Sequence, residues 1–182
     1  MLQRWDESEL LKIDCLKLIM CKEERDVLMR AYRFRFYPTV EQEKMLLSWL
    51  ERCRLLYNHA LAERRDHYKI TGHGLSYEDQ ANMHPTYKEE HPEYLALHSQ
   101  VLQNVLMRLD RAFMNFFEGR ARYPRFKRYG EYRSITYPQI RPEDVGRRSV
   151  ILSKIGRVRI VKDRHIILSG VSAALKAEPH RT

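Results

Sequence analysis

Residues 30–39 read Arg-Ala-Tyr-Arg-Phe-Arg-Phe-Tyr-Pro-Thr, and their alternation decides how the chain is divided. Tyr32, Phe34 and Phe36 fall on one side, with Arg33, Arg35 and Tyr37 on the other, so the run predicts a half-buried strand that Pro38 ends. Thr39 followed by Gln42 has the spacing of a capping box, in which the Thr side chain accepts from the Gln42 backbone N–H. No Gly or Pro follows until Gly72. In between, Leu46, Leu50, Cys53, Tyr57, Ala60 and Leu61 recur at helical spacing, which predicts one long amphipathic helix.

Gly72 and Gly74 close that helix, and Ser76 can cap a short one. Pro85 and Pro92 mark a loop-rich passage. A further helix is expected from Ser99 to Glu118, with Gly119 as its stop. Its apolar face is Leu102, Val105, Leu106, Leu109, Ala112, Phe113, Phe116 and Phe117; Gln100, Gln103, Asn104, Met107, Arg108 and Arg111 lie on or near the other. The run Arg-Ala-Arg-Tyr-Pro-Arg-Phe-Lys-Arg-Tyr-Gly, residues 120–130, cannot be a regular helix because of Pro124 and Gly130. Beyond it come short β-like pieces at Ser134–Tyr137, Val150–Leu152, Arg157–Val161 and His165–Leu168, with an irregular tail over 169–182. Residues 1–28 carry apolar Leu10, Leu11, Leu16, Leu18 and Ile19 among charges, compatible with a short amphipathic helix. Met29 opens the new pattern, so 1–28 reads as an appendage whose removal is expected to be tolerated.

Composition narrows the partners. The 182 residues carry a formal charge of +9, and an excess of this size favours a polyanion, since neutralised phosphates release condensed counterions. A basic protein that is merely soluble has the same composition, so distribution matters more. The excess is densest in Arg120–Arg133 and Arg147–Arg164. Three cysteines (Cys15, Cys21, Cys53) form an odd set without Cys-x-x-Cys spacing, and no two of the eight histidines sit at metal-ligand spacing on a helix. Neither a disulfide framework, a metal site nor a cofactor is expected. No apolar run reaches the length of a membrane span, and no secretory segment opens the chain, which places the expectation in the cytoplasm.

Four blocks in order, MRAYRFRFYPT, CRLLYNHALAERR with GHGLSY after it, LQNVLMRLDRAFMNFFEG, and RYPRFKR, resemble the N-terminal half of the OrfB/TnpB proteins of bacterial insertion sequences. PQI and SKIGRVRIVKDRH resemble the strands that follow, so the likeness covers roughly 29–168. The resemblance implies an α+β fold: a partial wedge-like β-barrel with an inserted helical recognition lobe that is helix-turn-helix-like. The corresponding division is a leader over 1–28, a first barrel strand over 29–38, the lobe over 39–119, and the basic loop with the remaining strands over 120–168. It also implies a family of RNA-guided DNA nucleases, often described as transposases, whose partners are a guide RNA and double-stranded DNA. The family's RuvC-like nuclease domain, with its three acidic residues, is not expected in this chain, so no catalytic residue is assigned.

Within those blocks each candidate has a functional and a plain reading. Arg120, Arg122, Arg125, Lys127 and Arg128 can track phosphates while Tyr123 and Phe126 stack on bases; alternatively the run is a solvated loop whose aromatics tuck into the barrel. Arg33 and Arg35 can face a duplex or simply blunt a sheet edge. Arg64 and Arg65 read as a solvated face, and Tyr57 and Asn58 as packing residues. Glu63, Asp66, Asp110 and Glu118 lack the clustering that metal-dependent cleavage needs and read as ion-pair partners. The family likeness also implies that Tyr77 and Gln103 help to read a short DNA motif; a Gln amide pairs bidentately with adenine N6 and N7. Three rival readings stay open: a decayed remnant without activity, a stand-alone helix-turn-helix regulator binding a palindrome, and an intact transposase, which the missing acidic triad argues against.

Overall fold

Thr39 and Gln42 fix where the first helix begins. The Gln42 backbone N–H donates to Thr39 Oγ1 at 3.3 Å, and the Thr39 N–H donates back to Gln42 Oε1 at 3.0 Å, so two otherwise unpaired donors are satisfied together. The helix, α1, runs over Val40–Thr71. It ends at Gly72, whose φ of 73° is open to a residue without Cβ. The computed structural model describes residues 11–20, 30–161 and 171–179. It divides the chain into a sheet unit, Met1–Ser48 with Gln139–Thr182, and a helical unit, Trp49–Pro138. α1 starts in the first and continues in the second.

In the sheet unit, β1 (Leu11–Met20), β2 (Arg30–Tyr37), β4 (Ser149–Leu152), β5 (Gly156–Val161) and β6 (Val171–Pro179) belong to one sheet. With β3 (Ser134–Ile140), which begins in the helical unit, its order is β3-β6-β1-β2-β5-β4. β1 pairs antiparallel with both β2 and β6, and β5 with both β2 and β4. The alternation expected for β2 is present where side chains are described: Phe34 and Phe36 are buried, and Arg35 and Tyr37 are exposed. The β4–β5 hairpin turns through Lys154 at φ 64° and Gly156 at φ 90°, left-handed positions of the kind that a short loop between twisted strands demands. The Gln42 side chain donates to the Arg157 carbonyl at 3.0 Å, tying the start of α1 to β5.

In the helical unit, α1 continues from Trp49, followed by α2 (Tyr77–Glu90), a 3-10 turn (Pro92–Ala96) and α3 (Ser99–Phe117). Ser76 caps α2 in a reciprocal box with Asp79, and the two hydrogen bonds from Ser76 hold the Asp79 carboxyl below its usual pKa. α3 closes with the Gly119 N–H on the Phe116 carbonyl and the Arg120 N–H on the Asn115 carbonyl, at 3.0 and 2.8 Å. That is the double bond of a Schellman stop, with Gly119 at φ 71°. Trp49, Leu50, Cys53, Leu56, Tyr57, Ala60 and Leu61 of α1, and Val101, Leu102, Val105, Leu106, Leu109 and Phe113 of α3, are buried. Among the described residues no helix is long and apolar enough to cross a membrane.

Several expectations need correction. In place of the helix expected for the leader, residues 11–20 form a strand between β6 and β2. Its periodicity is masked by a bulge: Ile13 pairs with Ala177 and Cys15 with Lys176, leaving Asp14 as an extra residue. Apolar positions therefore switch from odd (Leu11, Ile13) to even (Leu16, Leu18), and the strand matches no single period. Within the tail over 169–182, expected to be irregular, residues 171–179 form β6. Pro85 lies inside α2 rather than in a loop. The fold is mixed helix and sheet, and among the described residues the sheet is open, with β3 and β4 at its edges, so those residues form no closed barrel. The strand expected at His165–Leu168 lies outside the described residues.

The position of β1 reverses the expectation for the leader. Deleting residues 1–20 should lower stability by more than about 2 kcal/mol, the scale of a lost core side chain. Guanidinium unfolding of the full and shortened chains makes the comparison, and coincident curves would contradict the inner position of β1.

Candidate nucleic-acid interface

Residues 120–130 have no secondary structure of their own, so something else must hold them. Arg54, Tyr57 and Asn58 lie three and four residues apart on α1 and therefore share a face. Asn58 Oδ1 accepts from the Lys127 backbone N–H at 2.8 Å, and Asn58 Nδ2 donates to the Lys127 carbonyl at 2.9 Å. Arg54 Nη1 donates to the same carbonyl at 2.9 Å, while Arg54 Nε donates to Glu51 at 2.8 Å. The Lys127 ammonium lies 5.8 Å from the centre of the Tyr57 ring, a cation–π distance. Burial pushes the Tyr57 phenol up from its usual pKa, so the ring keeps its proton and stays a neutral floor. At the far end Gly130 turns at φ 74°, and the Arg128 N–H donates to Glu131 at 2.9 Å. An irregular segment is thus fastened by its main chain.

The side chains of the run point to different tasks. Arg122, Arg125 and Arg128 are exposed. Arg120 is exposed as well and ion-pairs with Glu118. Tyr123 meets Phe113 and Phe116 edge-on, with ring centres 5.6 and 5.3 Å apart. Phe126 is 46% exposed, and the Arg65 guanidinium sits 5.4 Å from its ring centre. Pro124, between them, is buried. Both aromatics keep nearly half of their surface open, so they are neither core residues nor free ones.

The structure brings Arg120, Arg122, Tyr123, Arg125, Phe126, Lys127 and Arg128 into one segment. Arg35 is exposed on β2 in the sheet unit, and the Arg33 side chain lies outside the described ones. Tyr77, the first residue of α2, is half-buried, whereas Gln103 is exposed on α3.

Arg64 departs from the solvated face expected of it. It is 6% exposed; Nη1 donates to Asp110 at 3.0 Å and Nε to Gln80 at 2.6 Å. Gln80 in turn donates to the Ala60 carbonyl at 3.0 Å and to Glu63 at 2.5 Å. Arg108, placed on the polar face of α3, reaches the Ser134 carbonyl at 2.9 Å and Thr136 Oγ1 at 2.5 Å, joining α3 to β3. Sequence spacing holds no signal for these long-range partners. The carboxylates behave as ion-pair partners: Asp110 serves Arg64, Glu118 serves Arg120, and Asp66 serves Arg65 at 2.9 Å and Lys69 at 3.7 Å. The hydrogen bond from Arg65 holds the Asp66 carboxyl below its ordinary pKa. Among the described residues no three His, Cys, Asp or Glu side chains come close enough to hold a metal ion. Burial pushes the Cys53 thiol up to about 12, leaving it protonated and inert at neutral pH.

Asn58 is the residue whose loss should loosen the run. Asn58→Ala removes both side-chain hydrogen bonds to Lys127, and stability should fall by about 1–3 kcal/mol as the part-buried Lys127 N–H loses its acceptor, the carbonyl keeping Arg54. Asn58→Asp, which keeps the acceptor, should lose less. Chemical unfolding of the three proteins tests the order, and equal stability of Asn58→Ala and the parent would mean that the clamp does not hold the run.

A family model described as a helix-turn-helix domain, of OrfB insertion-sequence proteins, matches residues 29–73, which hold β2 and α1. The chain is 30% identical over 140 residues to InsQ of Escherichia coli strain K12, a protein provisionally named an RNA-guided DNA endonuclease; the match covers 76% of this chain and 35% of that one. A protein of Streptomyces pristinaespiralis with the same provisional activity in its name is 39% identical over 100 residues, covering 54% of this chain and 25% of its own. The chain thus spans about a third or less of the length of these relatives. The helix-turn-helix model and both relatives agree: over the matched residues this chain is similar to a part of the OrfB insertion-sequence proteins.

Proposed function

We propose that this chain binds nucleic acid as the recognition part of an RNA-guided system, holding guide RNA and target DNA. The observation that carries the reading is the run 120–128, whose backbone is fastened by Asn58 and Arg54 while Arg122, Arg125 and Arg128 stay exposed. A fixed main chain with free guanidinium groups suits phosphate binding, because little freedom beyond that of the guanidinium arm is given up on association. Lys127 contributes less, since its ammonium already lies on Tyr57. In this reading the open sheet is the wedge-like part of the family's barrel, residues 39–119 are its inserted lobe, and Arg33 and Arg35 add cationic positions on β2.

Replacing Arg122, Arg125 and Arg128 together with Ala should weaken binding to every sequence alike. The slope of log affinity against log salt should fall by roughly 0.7–0.9 for each phosphate that is no longer neutralised. The measurement is a salt titration of binding to duplex DNA and to single-stranded RNA, and an unchanged slope on both would sink the proposal.

Gln103 is assigned the reading of a base. It stands exposed on α3 one residue after the fully buried Leu102, which turns it about 100° from the core. Gln103→Ala should cost about 1–3 kcal/mol of discrimination at one base position. Non-specific affinity and salt slope should stay as they were, because every phosphate keeps its partner. Binding of both proteins to a randomised duplex library, with guide RNA present, decides it; identical preferences would leave Gln103 a solvated residue. Tyr77, half-buried at the first turn of α2, belongs to the same assignment and takes the same test.

A further inference from the structure

Beside the basic run, the helical unit holds a cleft of about 400 Å³, within the size range of small-molecule sites. Its walls include Phe113, Phe116, Phe117 and Tyr123, and its rim includes Arg65 and Lys69. None of its lining residues is a carboxylate, although Asp66 shares both rim cations. Phe117 is 77% exposed and Tyr68, also in the lining, 62%. Phe117 lies nearly parallel to Phe113, at 28° with ring centres 6.2 Å apart. Large aromatics left open side by side forgo the free energy of burial, and such patches on a protein surface mark a partner.

Two features define that partner. The open faces of Phe117 and Tyr123 favour a flat ring, with the Arg64 guanidinium 5.2 Å from the centre of the Phe113 ring behind them. Arg65 and Lys69 favour an anion attached to the ring, and Tyr123 belongs to the run whose arginines are assigned to phosphates. An apolar peptide would meet only the first of these demands. An unstacked nucleobase, joined through its sugar to phosphate, meets both.

We infer that this cleft receives one unstacked base of a single strand whose backbone follows residues 120–128, with Phe117 as the stacking platform. The inference rests on the nucleic-acid reading above and adds a site to it. Affinities are compared for short oligothymidylate, oligouridylate and an abasic oligomer of equal length. Phe117 is mostly exposed, so Phe117→Ala should keep the parent's thermal unfolding. It should bind both base-bearing oligomers roughly 5- to 150-fold more weakly, the range for removal of one base–aromatic stack. The abasic oligomer and the salt slope should be unaffected, and Phe117→Trp should restore binding. Oligodeoxyuridylate, which shares its base with oligouridylate, isolates the sugar, and tighter binding of one of that pair identifies the strand as DNA or RNA. Equal affinity of parent and Phe117→Ala for base-bearing oligomers, or an equal loss on the abasic one, overturns the cleft as a base site. If the salt slope of the parent is itself absent, the phosphate reading fails first, and the two failures are told apart.

Discussion

A buried guanidinium left without partners would be among the most costly groups a small helical unit could hold. Arg64 offsets most of that cost by drawing on all three helices, although its buried Nη2 has no hydrogen-bond partner among the described residues. It stands on α1 and reaches Asp110 on α3 and Gln80 on α2, and Gln80 turns back to the Ala60 carbonyl and Glu63 on α1. Sliding any helix by one residue would break at least one of these bonds and leave a buried polar group without its partner. The apolar faces of α1 and α3 can tolerate small slips of Leu against Leu; this network cannot. It therefore sets the register in which Asn58, Tyr57 and Arg54 meet Lys127, and in which Phe113 forms the back of the aromatic cleft.

The helices were legible because each carries its own instructions. The Thr39–Gln42 box, the absence of Gly and Pro up to Gly72, and the Gly119 stop are local signals, and the structure uses each where the sequence places it. The strands were less legible. β2 alternates cleanly, whereas β1 hides its alternation behind the bulge at Asp14, and β6 has too many alanines to show a face. Pro85 inside α2 shows the limit of a local signal, since the cost of one missing N–H is outweighed by the rest of the helix.

The candidate site was legible in kind but not in arrangement. Basic and aromatic residues interleaved over 120–132 can be read directly. What holds them cannot, because Asn58 and Lys127 are 69 residues apart and no short pattern links them. The same holds for Arg64 and Arg108, which look like surface cations in a linear reading. Each is recruited by partners 16 to 46 residues away. Long side chains with several donors are the residues whose roles depend most on tertiary neighbours, and here they are where the sequence misled.

The clamp on Lys127 grips the main-chain N–H and carbonyl of that residue and makes no hydrogen bond to its side chain. Asn58 would hold the same course for almost any residue at that position, and the neighbours at 122, 125 and 128 face outward from a track that they do not help to build. Scaffold and displayed chemistry are thereby uncoupled. The run can exchange its outward residues, by drift or by design, and acquire a different preference among nucleic acids without disturbing the helices beneath it.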